Sequence, residues 1–178
     1  TSNIMSSMVL TGQRTLASLN YTYTTLISKY GIKTEFGEVK AIDPVTATVT
    51  MASGKVLTAD RVVLAPGVEF DPVLGLTDPL QMPHAWKAGP QTTALASQLS
   101  AMKAGGTVVL TIPKAPYRCP PGPYERACLL ADWLKARKKG SKIIVLDANP
   151  DILVEKDNFS SAFLGLHSSV LEYHNNVE

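Results

Sequence analysis

Hydrophobic and polar positions change their period along the first part of the chain, and each change predicts an element. Apolar residues recur at helical spacing from Thr15 to Tyr30 and Gly31 follows, which predicts an amphipathic helix. The run 61–65, apolar after its first residue, precedes Pro66-Gly67 and predicts a strand buried on both faces. Between them, four short apolar and β-branched runs predict an antiparallel meander: 33–36, 39–42, 47–51 and 55–57.

The second part of the chain alternates between helical and strand periods. The pattern predicts a helix near 92–103, a strand at 107–112, a helix at 124–138, a strand at 142–146 and a last helix after residue 157. No terminal element is evident beyond that helix. Such alternation predicts a parallel βαβ unit with a right-handed crossover. A proline- and glycine-rich stretch at 69–90 predicts an irregular connection, so we divide the chain into residues 1–75 and 76–178.

Composition excludes several classes of protein. With 45% apolar and 18% charged residues among 178, the sequence is that of a globular α/β protein, and no apolar run is long enough for a membrane span. Lys and Arg total 17 against 15 Asp and Glu, and the basic cluster at 135–139 lacks an aromatic platform, so no nucleic-acid partner is expected. We interpret that cluster as complementing the carbonyl end of a helix. The two cysteines and three histidines show no metal-ligand spacing.

The loop after the strand at 107–112 stands where a dinucleotide-binding fold carries its glycine-rich phosphate turn. Residues 113–126 hold one glycine, Gly122, and several prolines that have no N–H to donate, so NADH is not expected to bind there. Asp147 ends the next strand, in the position of a ribose-binding acid, and we interpret it as a turn residue. The pattern indicates a nucleotide fold without its nucleotide.

Cys119 is the residue of this loop with redox chemistry. The helix that starts after it and the adjacent Arg118 both stabilise a negative sulfur, which makes it a candidate redox thiol; a small buried packing residue is the alternative. Glu125, in the first helical turn, is a candidate proton donor or acceptor, or an acid that suits the helix dipole. Cys128 lies among apolar residues and is interpreted as core.

Two segments carry a family resemblance. The run Arg-Cys-Pro-Pro-Gly-Pro-Tyr-Glu-Arg-Ala at 118–127 and the run Pro-His-Ala-Trp-Lys-Ala-Gly at 83–89 resemble the flavoprotein subunit of flavocytochrome c sulfide dehydrogenase. That family has a two-dinucleotide-fold architecture similar to glutathione reductase. The resemblance implies that the chain is an internal fragment of such a flavoprotein: 1–75 would be part of the FAD-binding domain, and 76–178 part of a second, NAD-type Rossmann-like domain without the NAD motif.

The resemblance also implies roles for single residues. Cys119 would be one half of a redox-active disulfide against the flavin, with its partner cysteine in a later segment, and Glu125 would be the acidic residue near it. Ala65, Pro66 and Gly67 would form the turn that approaches FAD. No metal site is implied. The pyrophosphate-binding turn is expected to precede Thr1, so this chain alone is not expected to retain FAD. For Trp86 we expect only a packing role.

The implied function is sulfide oxidation, in which electrons pass to FAD and then to a cytochrome c subunit. The resemblance implies a periplasmic location, although the chain shows no signal peptide. A sulfide:quinone oxidoreductase shares the fold and the flavin-cysteine chemistry and is the alternative enzyme. A catalytically inactive binding or structural domain is the alternative outside enzymes, in keeping with the missing phosphate turn and the unpaired cysteine.

Overall fold

A computed structural model describes residues 4–177, which form two units. One unit is Thr22–Leu76; the other takes the residues before Thr22 together with those from Thr77 onward. The sequence pattern places the boundary one residue earlier, and it assigns the first residues to the first domain. In the structure helix α1 (Ser7–Leu10) instead contacts the second unit, because Leu10 is buried in that unit's apolar core. The flavin and nucleotide assignments of the two parts stay a prediction.

The unit Thr22–Leu76 contains the predicted meander. Helix α2 (Thr24–Tyr30) ends at Gly31, which adopts the left-handed conformation predicted for it. Three antiparallel strands follow in the order β1 (Val39–Asp43), β2 (Thr48–Met51) and β3 (Val56–Thr58). Residues 33–36 form no strand.

Two predictions for this region are wrong. The helix from Thr15 to Tyr30 is broken into a 3-10 turn, Ala17–Leu19, and α2, because Asn20 is extended and the aromatic and β-branched residues after it are weak helix formers. The run 61–65 forms no strand: none of the strands described between residues 4 and 177 pairs with it, and Val63 is 89% exposed. A strand needs a neighbour to bury both faces, and apolar content alone does not supply one.

The other unit confirms the predicted βαβ topology. Helix α3 (Pro90–Ala101) leads to β4 (Thr107–Ile112), α4 (Gly122–Arg137) and β5 (Lys142–Asp147), and β4 and β5 pair in parallel with Thr107 opposite Lys142. Apolar residues of α4 pack on the sheet and form the core with it. The loop between β4 and α4 therefore lies at the carboxyl edge of the parallel strands, where ligands bind in such folds.

The end of the chain differs from the prediction. Helix α5 (Lys156–Ser161) continues as a π-helical turn, Ala162–Leu166, and a further strand, β6 (Leu171–His174), pairs in parallel with β5. The expectation of no terminal element is wrong. A strand of four residues offers only two inward positions, too few to establish a period of two. Among the helices described, none is both long and apolar enough to cross a membrane.

The basic cluster at the end of α4 binds backbone carbonyls of other elements. Lys138 Nζ donates to the oxygens of Ser100 (2.6 Å) and Met102 (2.7 Å) at the end of α3, and Lys135 Nζ donates to the oxygen of Leu166. Carbonyls at the end of a helix generally lack an intrahelical partner, and a cation there also suits the helix dipole. The predicted role is confirmed, although the carbonyls belong to the ends of neighbouring elements and not to the end of α4.

Lys138→Met should lower the free energy of unfolding by about 1 kcal/mol, because the end of α3 loses its donor. Lys139→Met is the matched control; its side chain is exposed, so it should change stability by less than about 0.5 kcal/mol. Urea unfolding followed by tryptophan fluorescence measures both, since Trp86 and Trp133 lie in this unit. Equal losses in the two variants would contradict the capping role.

Candidate functional site

The loop between β4 and α4 is tied to the sheet by one side chain, Asn149. Its Oδ1 accepts the backbone N–H of Ala115 (2.8 Å), and its Nδ2 donates to the carbonyl of Pro113 (3.0 Å). The side chain is 2% exposed, so these bonds are shielded from water. A single amide thus fixes both sides of the loop's first turn.

Asn149 is itself held by Asp147, which is fully buried at the end of β5. The Asp147 carboxylate accepts four hydrogen bonds: Oδ1 from the backbone and side-chain nitrogens of Asn149 (2.9 and 2.7 Å), and Oδ2 from the hydroxyls of Tyr124 (2.7 Å) and Tyr173 (2.9 Å). Burial and the bond to Asp147 raise the pKa of both tyrosines, so they remain donors at neutral pH.

This arrangement does not fit a nicotinamide dinucleotide. An acid that binds ribose must present free oxygens at the surface, whereas both oxygens of Asp147 are buried and bonded. Asp147 does more than form a turn. Its side chain connects β5 with α4 and β6, and it also holds Asn149, which binds the loop. The sequence signal for this role is the pair Asp147 and Asn149 directly after a buried strand.

Cys119 lies in this loop as an exposed free thiol, so the alternative of a buried packing residue is wrong. Its φ of 57° is in the left-handed region, which costs a residue other than glycine roughly 1–2 kcal/mol. The Gly122 N–H donates to its carbonyl (3.0 Å) at the start of α4. A β-carbon at Gly122 would come within 3.3 Å of Cys119 Sγ, so glycine leaves room for the sulfur there. The redox role stays a prediction.

Glu125 and Cys128 share a face of α4, three positions apart. Glu125 is exposed in the first turn, and its acid-base role stays a prediction. Cys128 is half-buried and packs against the core, as predicted. Burial raises the pKa of the Cys128 thiol, and the negative charge of Glu125 adds to this effect.

Ala65, Pro66 and Gly67 lie in the other unit and are exposed. Gly67 has a φ of 84°, and no atom lies within 4 Å of the position that a β-carbon would take. An open backbone of this kind allows a ligand to approach closely, which fits the turn implied for FAD. Binding of flavin at these residues stays a prediction.

Sequence reasoning missed the role of Arg126. Its guanidinium lies over the Trp86 ring, 3.3 Å from the centroid, and only 3% of the residue is exposed. It donates to the carbonyls of His84 and Ala85 and to Ser7 Oγ (3.1 Å). Trp86 therefore packs, as expected, but its partner is a cation. Trp86 belongs to the segment 83–89 and Arg126 to the segment 118–127, so the two segments that carry the family resemblance meet at this stack. Their shared resemblance is the sequence signal that could have suggested a contact between them.

The fold defines the class first: a mixed α/β chain with one antiparallel and one parallel three-stranded sheet, a fold that it shares with two solved structures. The sulfide:quinone oxidoreductase of the hyperthermophilic bacterium Aquifex aeolicus matches with a TM-score of 0.68 over 98% of this chain, at 20% identity. Putidaredoxin reductase in its covalent complex with putidaredoxin matches with a TM-score of 0.58 over 97%, at 19% identity. The chain spans 42% and 39% of those proteins.

The family match lies in the second part of the chain. Residues 92–178 match the family model for the central region of the flavoprotein chain of sulfide dehydrogenase, the flavocytochrome c enzyme. This match includes Cys119, Glu125, Arg126 and Asp147, and it confirms the family resemblance stated from the sequence. The predicted fold, an antiparallel meander followed by a Rossmann-like parallel unit, is confirmed as well.

Asp147→Asn should lower the free energy of unfolding by roughly 2–4 kcal/mol. One carboxylate oxygen that accepts hydrogen bonds is replaced by an NH₂ group, which would face donors. Asp132→Asn, at an exposed position of α4, is the control and should change stability by less than about 0.5 kcal/mol. Urea unfolding by tryptophan fluorescence reports both. A neutral effect at Asp147 would show that the four bonds are not a stabilising network.

Cys119 should react with iodoacetamide near neutral pH faster than Cys128. Cys119 is exposed, whereas burial disfavours the reactive thiolate of Cys128. Partial alkylation followed by mass spectrometry of the two peptides gives the two rates, and labelling of the urea-unfolded chain is the control in which the difference should vanish. Preferential labelling of Cys128 in the folded protein would contradict the exposed-loop geometry.

Proposed function

We propose that this chain is part of a flavin-dependent sulfide dehydrogenase that oxidises sulfide through FAD and a redox cysteine pair. The observation that carries the proposal is the Cys119 thiol, exposed in a strained conformation at the N-terminus of α4, within the region that matches the family. Strained backbone persists where the surroundings over-determine it, as at reactive sites. Sulfide is the proposed substrate, and a periplasmic location is part of the proposal.

Cys119 and Glu125 would have separate roles in this reaction. Cys119, paired with a cysteine of another segment, presents an S–S bond that hydrosulfide attacks; a new bond joins the sulfide sulfur to one cysteine, and the other leaves as thiolate. Oxidation of HS⁻ to the level of elemental sulfur releases one proton and two electrons, and Glu125 is the proposed proton acceptor. FAD, when bound, supplies a two-electron acceptor that can release its electrons singly.

The proposed final acceptor is a cytochrome c subunit, which would take the two electrons one at a time. The family name supports this acceptor. Quinone is the second candidate, because the match to a sulfide:quinone oxidoreductase extends over 98% of this chain. Reduction of cytochrome c or of a soluble quinone by the sulfide-treated flavoprotein distinguishes the two acceptors, and reduction of neither would favour an inactive binding domain.

In the complete flavoprotein, Cys119→Ser should abolish rapid bleaching of the flavin absorbance by sulfide, whereas Cys128→Ser should retain it. Glu125→Gln should slow bleaching by about 10²-fold if it accepts the proton. Stopped-flow absorbance in the flavin band measures all three variants, with dithionite reduction as the control for bound, reducible flavin. Bleaching at the wild-type rate in Cys119→Ser would refute the redox role of this cysteine.

A further inference from the structure

The segment 83–89 carries half of the family resemblance and has no role in the proposed chemistry. In the structure it surrounds the Arg126 guanidinium with two carbonyl oxygens, from His84 and Ala85, and with the face of Trp86. Ser7 Oγ completes the set. Every one of these partners is neutral, and within residues 4–177 no carboxylate forms an ion pair with Arg126.

A buried cation without a counter-ion is costly, since water no longer solvates it. Burial lowers the pKa of Arg126 to about 9, which still leaves the group charged at neutral pH. If the stack only filled space, a neutral side chain of similar size would do so at lower cost. The positive charge of the buried guanidinium would therefore have a function if a negative charge develops near it.

A group able to carry negative charge, the Cys119 thiol, lies beside the first turn of α4. Gly122 and Arg126 are four positions apart, one helical turn. Above Gly122, a β-carbon would lie 3.5 Å from the nearest Trp86 ring atom and 3.3 Å from Cys119 Sγ. The order along this face is thus guanidinium, indole, glycine and sulfur, with the indole edge directed toward the glycine.

We propose that Arg126 is a positioning residue for Cys119: it holds the Trp86 indole against Gly122, which fixes the sulfur at the start of α4, and its buried charge favours anionic sulfur there. The proposal rests on the proposed redox role of Cys119. Sulfur contacts aromatic rings favourably at their edge, where the ring carries its partial positive charge. Arg118 is also cationic and near, but it is exposed, so salt screens its effect far more.

The charge selectivity of alkylation tests the electrostatic part. The ratio of the rates with anionic iodoacetate and neutral iodoacetamide, measured at Cys119 by peptide mass spectrometry, reports the local potential. Arg126→Gln should lower this ratio roughly three- to tenfold, even at about 0.5 M salt, where the Debye length is only a few ångströms. Arg126→Lys should retain it. In the control Arg118→Gln, the ratio should fall at low salt and not at high salt.

A second measurement tests the electrostatic role without a substitution at Arg126. In Arg118→Gln at high salt, the ratio at Cys119 should be several-fold greater in the folded chain than in the same chain unfolded in urea. An unchanged ratio in folded Arg126→Gln, or equal ratios in the folded and unfolded chain, would overturn the electrostatic role. Should Arg126→Gln fail to fold, the comparison of folded with unfolded chain decides alone.

The positioning part is tested at Trp86. Trp86→Ala uncovers one side of the sulfur and should raise the iodoacetamide rate at Cys119, whereas Trp86→Phe keeps a ring and should restore the wild-type rate. An unchanged rate in Trp86→Ala would overturn this part. None of these measurements uses flavin or sulfide. Failure here therefore leaves the sulfide-bleaching test of Cys119 standing, and failure of that test leaves these alkylation results unaffected.

Discussion

The Asp147 carboxylate accepts hydrogen bonds from a helix, a strand and the residue that holds the cysteine loop, and the site depends on this set of bonds. Tyr124 belongs to α4, Tyr173 to β6, and Asn149 follows β5 and binds the loop after β4. A buried carboxylate is tolerated only when donors replace its water, and here four neutral donors do so. The elements around the site are consequently fixed relative to one another by one side chain.

The same bonds use groups at the edge of the sheet where dinucleotides bind in related folds. The carboxyl edge of a parallel sheet exposes strand ends and a helix N-terminus, which in dinucleotide-binding proteins are satisfied by phosphate and ribose. In this chain Asn149 satisfies backbone groups of Pro113 and Ala115, and Asp147 directs its oxygens inward. Side chains of the protein itself therefore occupy this edge of the sheet, and the loop that crosses it carries an exposed thiol.

The sequence predicted those features that depend on local pattern. Strand β4 has the bounds expected for it, α4 spans Gly122–Arg137 against an expected 124–138, and three of the four runs predicted for the meander form its strands. Features that depend on long-range pairing were not predictable in this way. Position 126 is separated by 41 residues from Ala85, to which its guanidinium binds, and no periodicity connects them. The run 61–65 shows the converse, since apolar content predicted a strand for which the described residues offer no partner.

The cysteine loop is held from two sides by groups of different character. On the sheet side, Asn149 fixes the backbone at Pro113 and Ala115 through neutral hydrogen bonds. On the helix side, Gly122 admits both the sulfur and the indole that Arg126 holds. The first contact sets where the loop runs and the second sets where the sulfur points. Because they share no side chain, the path of the loop and the surroundings of the sulfur can vary independently of each other.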